Sequence, residues 1–314
     1  MEQIWKFGFL RMKKDGFFLD KGETLSKSCK LLESYFTSRT KPFQEFATFG
    51  KVIFSIFVFS NFSFAQSSDS IYTLIHEIEI ESKLIGVDNL NQIYALNPDN
   101  ELFKYNSNAQ EVFRFNNNRL GELSHIDASN PFNVLLFYSE FSNILILDRT
   151  LNLNVRLNLF DLNYSQVSAV GLANDNNVWI FDDLNFQLKK IDRKGNVIVT
   201  SDNLNFALNK PVRPNFILEK DQKVFVNDPE IGILVFDIFG QFEKVLDFKN
   251  LTHFQVFIEQ LLYFKDGKLF SFNLKSLLEK PIKLPKSAES TDKILVQKNR
   301  MYLIKKERIE VYSF

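Results

Sequence analysis

At 314 residues, 45% hydrophobic and 24% charged, the chain has the composition of a soluble globular protein with room for one large all-β domain. Basic and acidic side chains balance at 38 each, but residues 1–65 hold 10 Lys/Arg against 6 Asp/Glu (+4), leaving 28 against 32 (−4) for the rest. A mildly acidic main body argues against nucleic acid as a partner, and with Cys29 the only cysteine it can have no disulfide, Cys-ligated zinc or thiol nucleophile.

In chain order, residues 1–50 show neither a 3.6 nor a 2.0 period. They read as an unstructured extension, or as translated leader upstream of the true start, which is the favoured explanation. Residues 52–64 form an uncharged apolar run preceded by Lys51 and followed by Ser63-Phe64-Ala65, a small-x-small cleavage pattern before Gln66. This is the pattern of a secretory signal over 51–65, too short for a comfortable membrane span. A buried strand at 52–59 is the competing explanation. With no Cys after the run, an N-terminal lipoprotein is not expected. The Gln66–Ser70 stretch reads as a linker into a propeller domain over 66–314.

From residue 71 onward the chain repeats. Strand cores centred on Ile93, Leu135, Val178, Val224, Leu261 and Met301 recur at spacings of 42, 43, 46, 37 and 40 residues. A second apolar run follows each, ending at Tyr105, Leu147, Ile191, Phe236, Phe272 and Tyr312. Strand units at about forty residues are the mark of a β-propeller. The first unit reads Leu84–Asp88, Gln92–Leu96, Glu101–Tyr105 and Glu111–Phe115, with Asn97–Asn100 as a turn cluster. The third repeats it from Ala169 to Thr200, and Gly86 and Gly171 fall at matching places, where crowding near the axis asks for small residues. In the fifth, Asp266-Gly267 is a hairpin turn. The Asn or Asp after each third strand (Asn106, Asp148, Asp192, Asp237, Asn273) reads as turn chemistry, and Asn227–Gly232 as a polar hairpin turn.

The sixth unit has only three strands, Lys293–Val296, Arg300–Ile304 and Arg308–Tyr312. A spare strand at 71–80, with Tyr72, Leu74, Ile78 and Ile80 on one face, completes it and closes the ring. The expected fold is therefore an all-β, six-bladed propeller of four-stranded blades.

Residues with chemistry are sparse. No phosphate loop, zincin, nucleophile-elbow or calcium-loop motif is present. Asp88, Asp127, Asn174 and Glu219 end or follow innermost strands in four successive blades. They are candidate ligand-binding residues at the channel mouth, where a hard cation such as Ca²⁺ would find oxygen donors; the alternative is that they begin turns. Arg119, Glu122 and His125 are candidate partner-binding residues, and His125, two residues before Asp127, is also a candidate metal or general-base site. The competing explanation is polar residues hydrogen-bonded where the chain enters a blade. No catalytic or metal residue is assigned and no cofactor is expected. The abundance of Phe, 35 residues, fits strands and cores and an A+T-biased coding sequence before it fits a ligand groove.

Several stretches together resemble a family of signal-bearing, propeller-like proteins of Bacteroidetes: Leu120–Asp127 with Asn130-Pro131, Leu135–Tyr138, Asn185–Leu188 and Gly232–Gly240. The resemblance covers about residues 80–314. It implies an envelope location, periplasmic or peripheral to the outer membrane, and brings no established activity. Looser similarity reaches the NHL and TolB-like six-bladed propellers. The expectation is a monomeric, non-catalytic module that binds a protein or envelope component. The alternative is a metal-dependent hydrolase or sugar dehydrogenase of gluconolactonase-like type, acting at the channel mouth.

Overall fold

The computed structural model describes residues 71–314. Cys29, the extension at 1–50, the signal at 51–65 and the linker at 66–70 lie outside the described residues. No helix among those described is long and apolar enough to cross a membrane.

Twenty-four strands make six four-stranded antiparallel sheets, each a meander of consecutive strands except the last. Blade 1 holds β2 (Leu84–Val87), β3 (Ile93–Leu96), β4 (Glu101–Tyr105) and β5 (Glu111–Asn116). Blade 2 holds β6 (His125–Asn130), β7 (Asn133–Tyr138), β8 (Asn143–Leu147) and β9 (Leu153–Asn158). Blade 3 runs β10 (Val167–Leu172), β11 (Val178–Asp182), β12 (Gln187–Ile191) and β13 (Val197–Thr200). Blade 4 runs β14 (Phe216–Lys220), β15 (Lys223–Asp228), β16 (Gly232–Asp237) and β17 (Phe242–Leu246). Blade 5 runs β18 (Phe254–Phe257), β19 (Gln260–Lys265), β20 (Lys268–Asn273) and β21 (Glu279–Ile282).

Blade 6 contains β22 (Lys293–Gln297), β23 (Arg300–Ile304) and β24 (Arg308–Ser313), and its outer strand is β1 (Thr73–Glu79) from the other end of the chain. The pairing runs antiparallel from Thr73 opposite Ser313 to Glu79 opposite Arg308. A register shift between Leu74 and His76 corrects the expected one-faced alternation. Tyr72 packs on the blade 5 side, whereas Ile75, Ile78 and Ile80 pack toward blade 1, and Leu74 is exposed.

The core lies between blades rather than within one. Six separate apolar clusters fill the gaps, one per pair of neighbouring blades. An open row of six blades would have only five such gaps. The sixth cluster joins Ile78, Tyr302, Ile309 and Val311 of blade 6 to Ile85, Ile93 and Ala95 of blade 1, so the ring is closed. Middle strands buried on both faces read as continuous apolar runs, such as Val134–Tyr138.

The expected turn chemistry is present in detail. Asn106, Asp148, Asp192, Asp237 and Asn273 each accept backbone N–H groups two and three or four residues onward. Asp266 and Gly267 both have positive φ, 51° and 72°, as a two-residue I′ hairpin requires. Asn227 and Asp228 depart from the expected polar turn: both are buried. Asn227 Nδ2 donates to the Leu251 carbonyl at 2.7 Å, and Asp228 accepts from the N–H groups of Arg213, Glu230 and Ile231. Gly171 is a close-approach position, since a Cβ there would lie 2.5 Å from the Ile217 carbonyl oxygen of blade 4.

Candidate functional site

An antiparallel meander places its loops at fixed ends. The links from each outer strand to the next inner strand share one end of the ring with the loops between second and third strands. First-to-second and third-to-fourth turns share the other. At that other end the turns are short and locked by Asx side chains. At the crossover end the links are longer: 117–124, 159–166, 201–215, 247–253 and 283–292. The longest, 201–215, contains the helix α1 (Leu204–Leu208), capped by Asn203. Long loops held on a rigid frame are where binding surfaces are built.

These loops are tied to one another across blades 2, 3 and 4. The Leu159 N–H donates to the Ser142 carbonyl, and the Asp183 N–H to that of Gln166. Ser168 Oγ donates to Asp183 Oδ1 at 2.6 Å. The Leu204 N–H and Asn203 Nδ2 donate to the carbonyls of Phe186 and Asn185. Although the backbone is fixed, four large apolar side chains on these loops face water: Phe141, Phe160, Leu184 and Phe206, the last 89% exposed. Leu204, two residues earlier, is fully buried, so α1 is anchored on one side and presents Phe206 on the other.

The acidic series predicted at the channel mouth is placed differently from residue to residue. Asp88 follows β2 and is buried; it accepts from the N–H groups of Leu90 and Gln92 and from the Tyr94 hydroxyl at 3.0 Å. Burial raises its carboxyl, against those hydrogen bonds and the Lys104 charge. Asp127 and Glu219 lie inside inner strands and clip neighbouring blades. Asp127 accepts the Leu172 N–H of blade 3 at 2.7 Å. Glu219 of blade 4 accepts the blade 3 groups Trp179 Nε1 at 2.5 Å and Asn174 N–H at 3.2 Å. The Asn174 side chain is exposed. Among the described residues no three His, Cys, Asp or Glu side chains form a group able to hold a metal ion.

Arg119 and Glu122 are exposed on the 117–124 link, where Glu122 pairs with Lys83 at 3.4 Å. His125 turns inward instead. Its ring lies 5.7 Å from that of Phe216, which lies 5.0 Å from that of His253. These residues belong to blades 2, 4 and 5, and the charge of Lys293, on blade 6, acts on both imidazoles. Side chains from blades that are not neighbours meet only at the axis. Ladder register confirms one level: Leu84, His125, Phe216 and Lys293 stand opposite Leu96, Phe137, Asn227 and Ile304.

At this axial level His125, His253 and Lys293 are surrounded by protein yet keep partial accessibility, as channel-lining groups do. Burial lowers His125, with Asp127 opposing the shift and Lys293 adding to it. His253 is held well below the ordinary imidazole value by burial and then by Lys293 and His125. The Lys293 amine is pushed down to about 8 by burial. From the sequence His125 alone is singled out, without being brought together with Phe216, His253 and Lys293. The signal was their similar distance from the centre of the second strand, ten residues for His125 and eight for Phe216, His253 and Lys293.

A second buried amine, Lys104, was also missed. It donates to the Arg149 carbonyl at 2.6 Å and lies 5.0 Å from the centre of the Tyr94 ring. It lines a 360 Å³ cleft between blades 1 and 2 with Leu90, Phe113 and Phe132.

No family model matches the chain, and no curated protein matches it in sequence. Among solved structures, it is similar to virginiamycin B lyase from Staphylococcus aureus, with a TM-score of 0.57 and 9% identity, covering 77% of this chain and 99% of that one. It is also similar to the Pan2 WD40 domain from Neurospora crassa, with a TM-score of 0.55 and 10% identity, covering 77% and 95%. At such identities the likeness shows the fold alone, and that fold is the β-propeller.

Proposed function

We propose that the chain is a non-catalytic propeller of the cell envelope that docks a protein or envelope component on the crossover end of blades 2–4. The observation that carries the proposal is the series Phe141, Phe160, Leu184 and Phe206, held out to water on loops hydrogen-bonded into one rim. Scattered apolar side chains need no explanation, whereas a set on preordered backbone is the arrangement a partner surface uses, because docking then orders little that is not already fixed. Arg119 and Glu122, expected from sequence as partner-binding residues, stand at the same end and supply a polar margin. The apolar segment at 51–65 and the resemblance to signal-bearing envelope proteins support the location.

The test is capture from cell envelopes with the full chain and two classes of variant. Phe206→Asp and Leu184→Asp alter exposed side chains of the rim, and Leu277→Asp alters an exposed one at the opposite end. A partner retained by wild type and Leu277→Asp and lost by both rim variants supports the proposal. Equal retention by all four proteins overturns it.

A further inference from the structure

Blades 1 and 3 bury a lysine at the same place and complete it differently. Lys104 stands opposite Tyr94 on the neighbouring strand, and Lys190 opposite Trp179. Each amine lies over that ring, 5.0 Å and 4.9 Å from its centre. The turn between first and second strands matches in its backbone hydrogen bonds as well. The Asn91 N–H donates to the Asp88 carbonyl in blade 1, and the Asn176 N–H to the Ala173 carbonyl in blade 3. Leu90 therefore occupies the place of Asp175. In blade 3 that aspartate pairs with Lys190 at 3.0 Å. In blade 1 the carboxylate is missing and Leu90 is left half exposed. The acids nearest Lys104 do not replace it. Asp88 is turned to the Tyr94 hydroxyl and the N–H groups of Leu90 and Gln92, and Asp148 to Thr150 and Asn152.

The cleft of about 360 Å³ at this point has no acid in its lining. Lys104, Arg149, Gln92 and Thr150 form its polar part, and Leu90, Phe113, Pro131 and Phe132 its apolar part. Lys104 is enclosed and gives its hydrogen bond to the Arg149 carbonyl, so it acts as a fixed charge beneath the floor. Arg149 is the group an anion can touch: its side chain is exposed, with no ion pair or hydrogen bond among the described residues. Phe132 beside it is 60% exposed. We propose that this cleft binds an organic acid with a flat apolar body. Its carboxylate lies on the Arg149 guanidinium above the Lys104 charge, in the role Asp175 has in blade 3, and its body lies against Leu90, Phe113 and Phe132. A guanidinium takes a carboxylate through two parallel hydrogen bonds, and the two phenyl rings offer a flat body offset or edge contacts. The volume is that of a small-molecule site. Leu90, Phe132 and Arg149 lie on first-to-second and third-to-fourth turns, so the cleft opens at the end of the ring opposite the docking rim and does not depend on it.

The test is calorimetric titration of the full chain with cinnamate at neutral pH and constant ionic strength. Cinnamamide, which lacks the charge, and acetate, which lacks the flat body, are the comparisons. Saturable binding with a Kd of about 1 mM or tighter is expected for cinnamate alone. Arg149→Gln and Phe132→Ser, both at exposed side chains, should each weaken it at least about tenfold. Leu90→Asp gives blade 1 the carboxylate that blade 3 already has, and should abolish binding while the melting temperature is kept. A peptide ending in phenylalanine that competes with cinnamate, where its amidated form does not, identifies peptide ends as the natural source; no competition identifies the free acid. Phe206→Asp should leave the titration unchanged, which separates this site from the docking rim. Absence of saturation, cinnamamide or acetate binding as tightly as cinnamate, or full affinity in Arg149→Gln, Phe132→Ser or Leu90→Asp overturns the proposal.

Discussion

Replacing Glu219 should uncouple blade 4 from blade 3. Its carboxylate, almost fully buried, accepts Trp179 Nε1–H at 2.5 Å and the Asn174 N–H at 3.2 Å. The indole is fully enclosed, so removal of the acceptor leaves a buried N–H with no substitute. A hydrogen bond to a charged group is worth about 1.5–3 kcal/mol, and an orphaned buried donor costs about 1–3 kcal/mol. The two describe largely the same loss. Glu219→Ala should therefore destabilise by about 3 kcal/mol, and Glu219→Gln, which keeps one acceptor oxygen, by about half of that. For a domain of this size, each kcal/mol lowers Tm by roughly 2–4 °C, so Glu219→Ala should melt about 6–12 °C lower. Denaturant unfolding gives the free energy, and hydrogen exchange at the Asn174 amide reports the local loss. A double-mutant cycle with Trp179→Phe should return a coupling of about 1–2 kcal/mol. Glu219→Ala within about 0.5 kcal/mol of wild type, or a coupling near zero, would refute the idea that this carboxylate clips the blades.

Gly171→Ala should destabilise by about 2–3 kcal/mol, because the new Cβ meets backbone, the Ile217 carbonyl, which has no flexible end to yield; thermal melting checks it. Deleting residues 1–80 removes β1 and uncovers Ile309 and Val311, so the chain should lose its single cooperative transition in calorimetry, whereas a chain beginning at Ile71 should keep it. Lys293→Met should stabilise the protein by about 1–2 kcal/mol at neutral pH, since it removes a partly enclosed charge that burial disfavours. The folded amine sits at about 8 against 10.5 unfolded, so the unfolded chain binds the proton more tightly. The penalty is therefore complete below pH 8 and gone above about 10.5, and the advantage of Lys293→Met should fade across that window; its charge acts on His125 and His253, and Asp292 lines the same cavity. His253 acts in the same sense at acid pH. Its folded value is depressed below 6.5, so stability should fall as pH drops below that value, and His253→Leu should blunt the fall in a Tm–pH series.

The fold was legible because a propeller repeats its instructions. Each blade announces its second and third strands by apolar runs, five of the six mark the third-to-fourth turn by an Asx residue, and the odd strand at 71–80 supplied the count. Faces were less legible. A bulge between Leu74 and His76 moved Ile75 into the core, and nothing in simple alternation marks where a ladder slips. The helix Leu204–Leu208 escaped because five residues give too little periodicity to see.

For the candidate site the limit was of a different kind. Asp127 and Glu219 looked like a mouth series because sequence gives position along a strand, not which neighbour a side chain reaches. Only the third dimension shows that they reach across to backbone N–H groups and an indole of the adjoining blade. His125 was read with Arg119 and Glu122, its neighbours in sequence. Its neighbours in space are Phe216, His253 and Lys293, between 91 and 168 positions away. Such a set is visible in sequence only when the inner strands are stacked in register. The exposed Phe141, Phe160 and Phe206 were hidden among 35 phenylalanines, a residue type that sequence alone assigns to strands and cores.

The docking surface is tested most directly by photo-crosslinking in intact cells. A photoreactive residue is placed at Phe206 on the rim, and at Leu277 on the opposite end, in otherwise unaltered full chain. A discrete crosslinked species from position 206, absent from position 277 and abolished by Leu184→Asp, is the predicted result. Equal crosslinking from both positions, or an adduct that survives Leu184→Asp undiminished, would contradict the account.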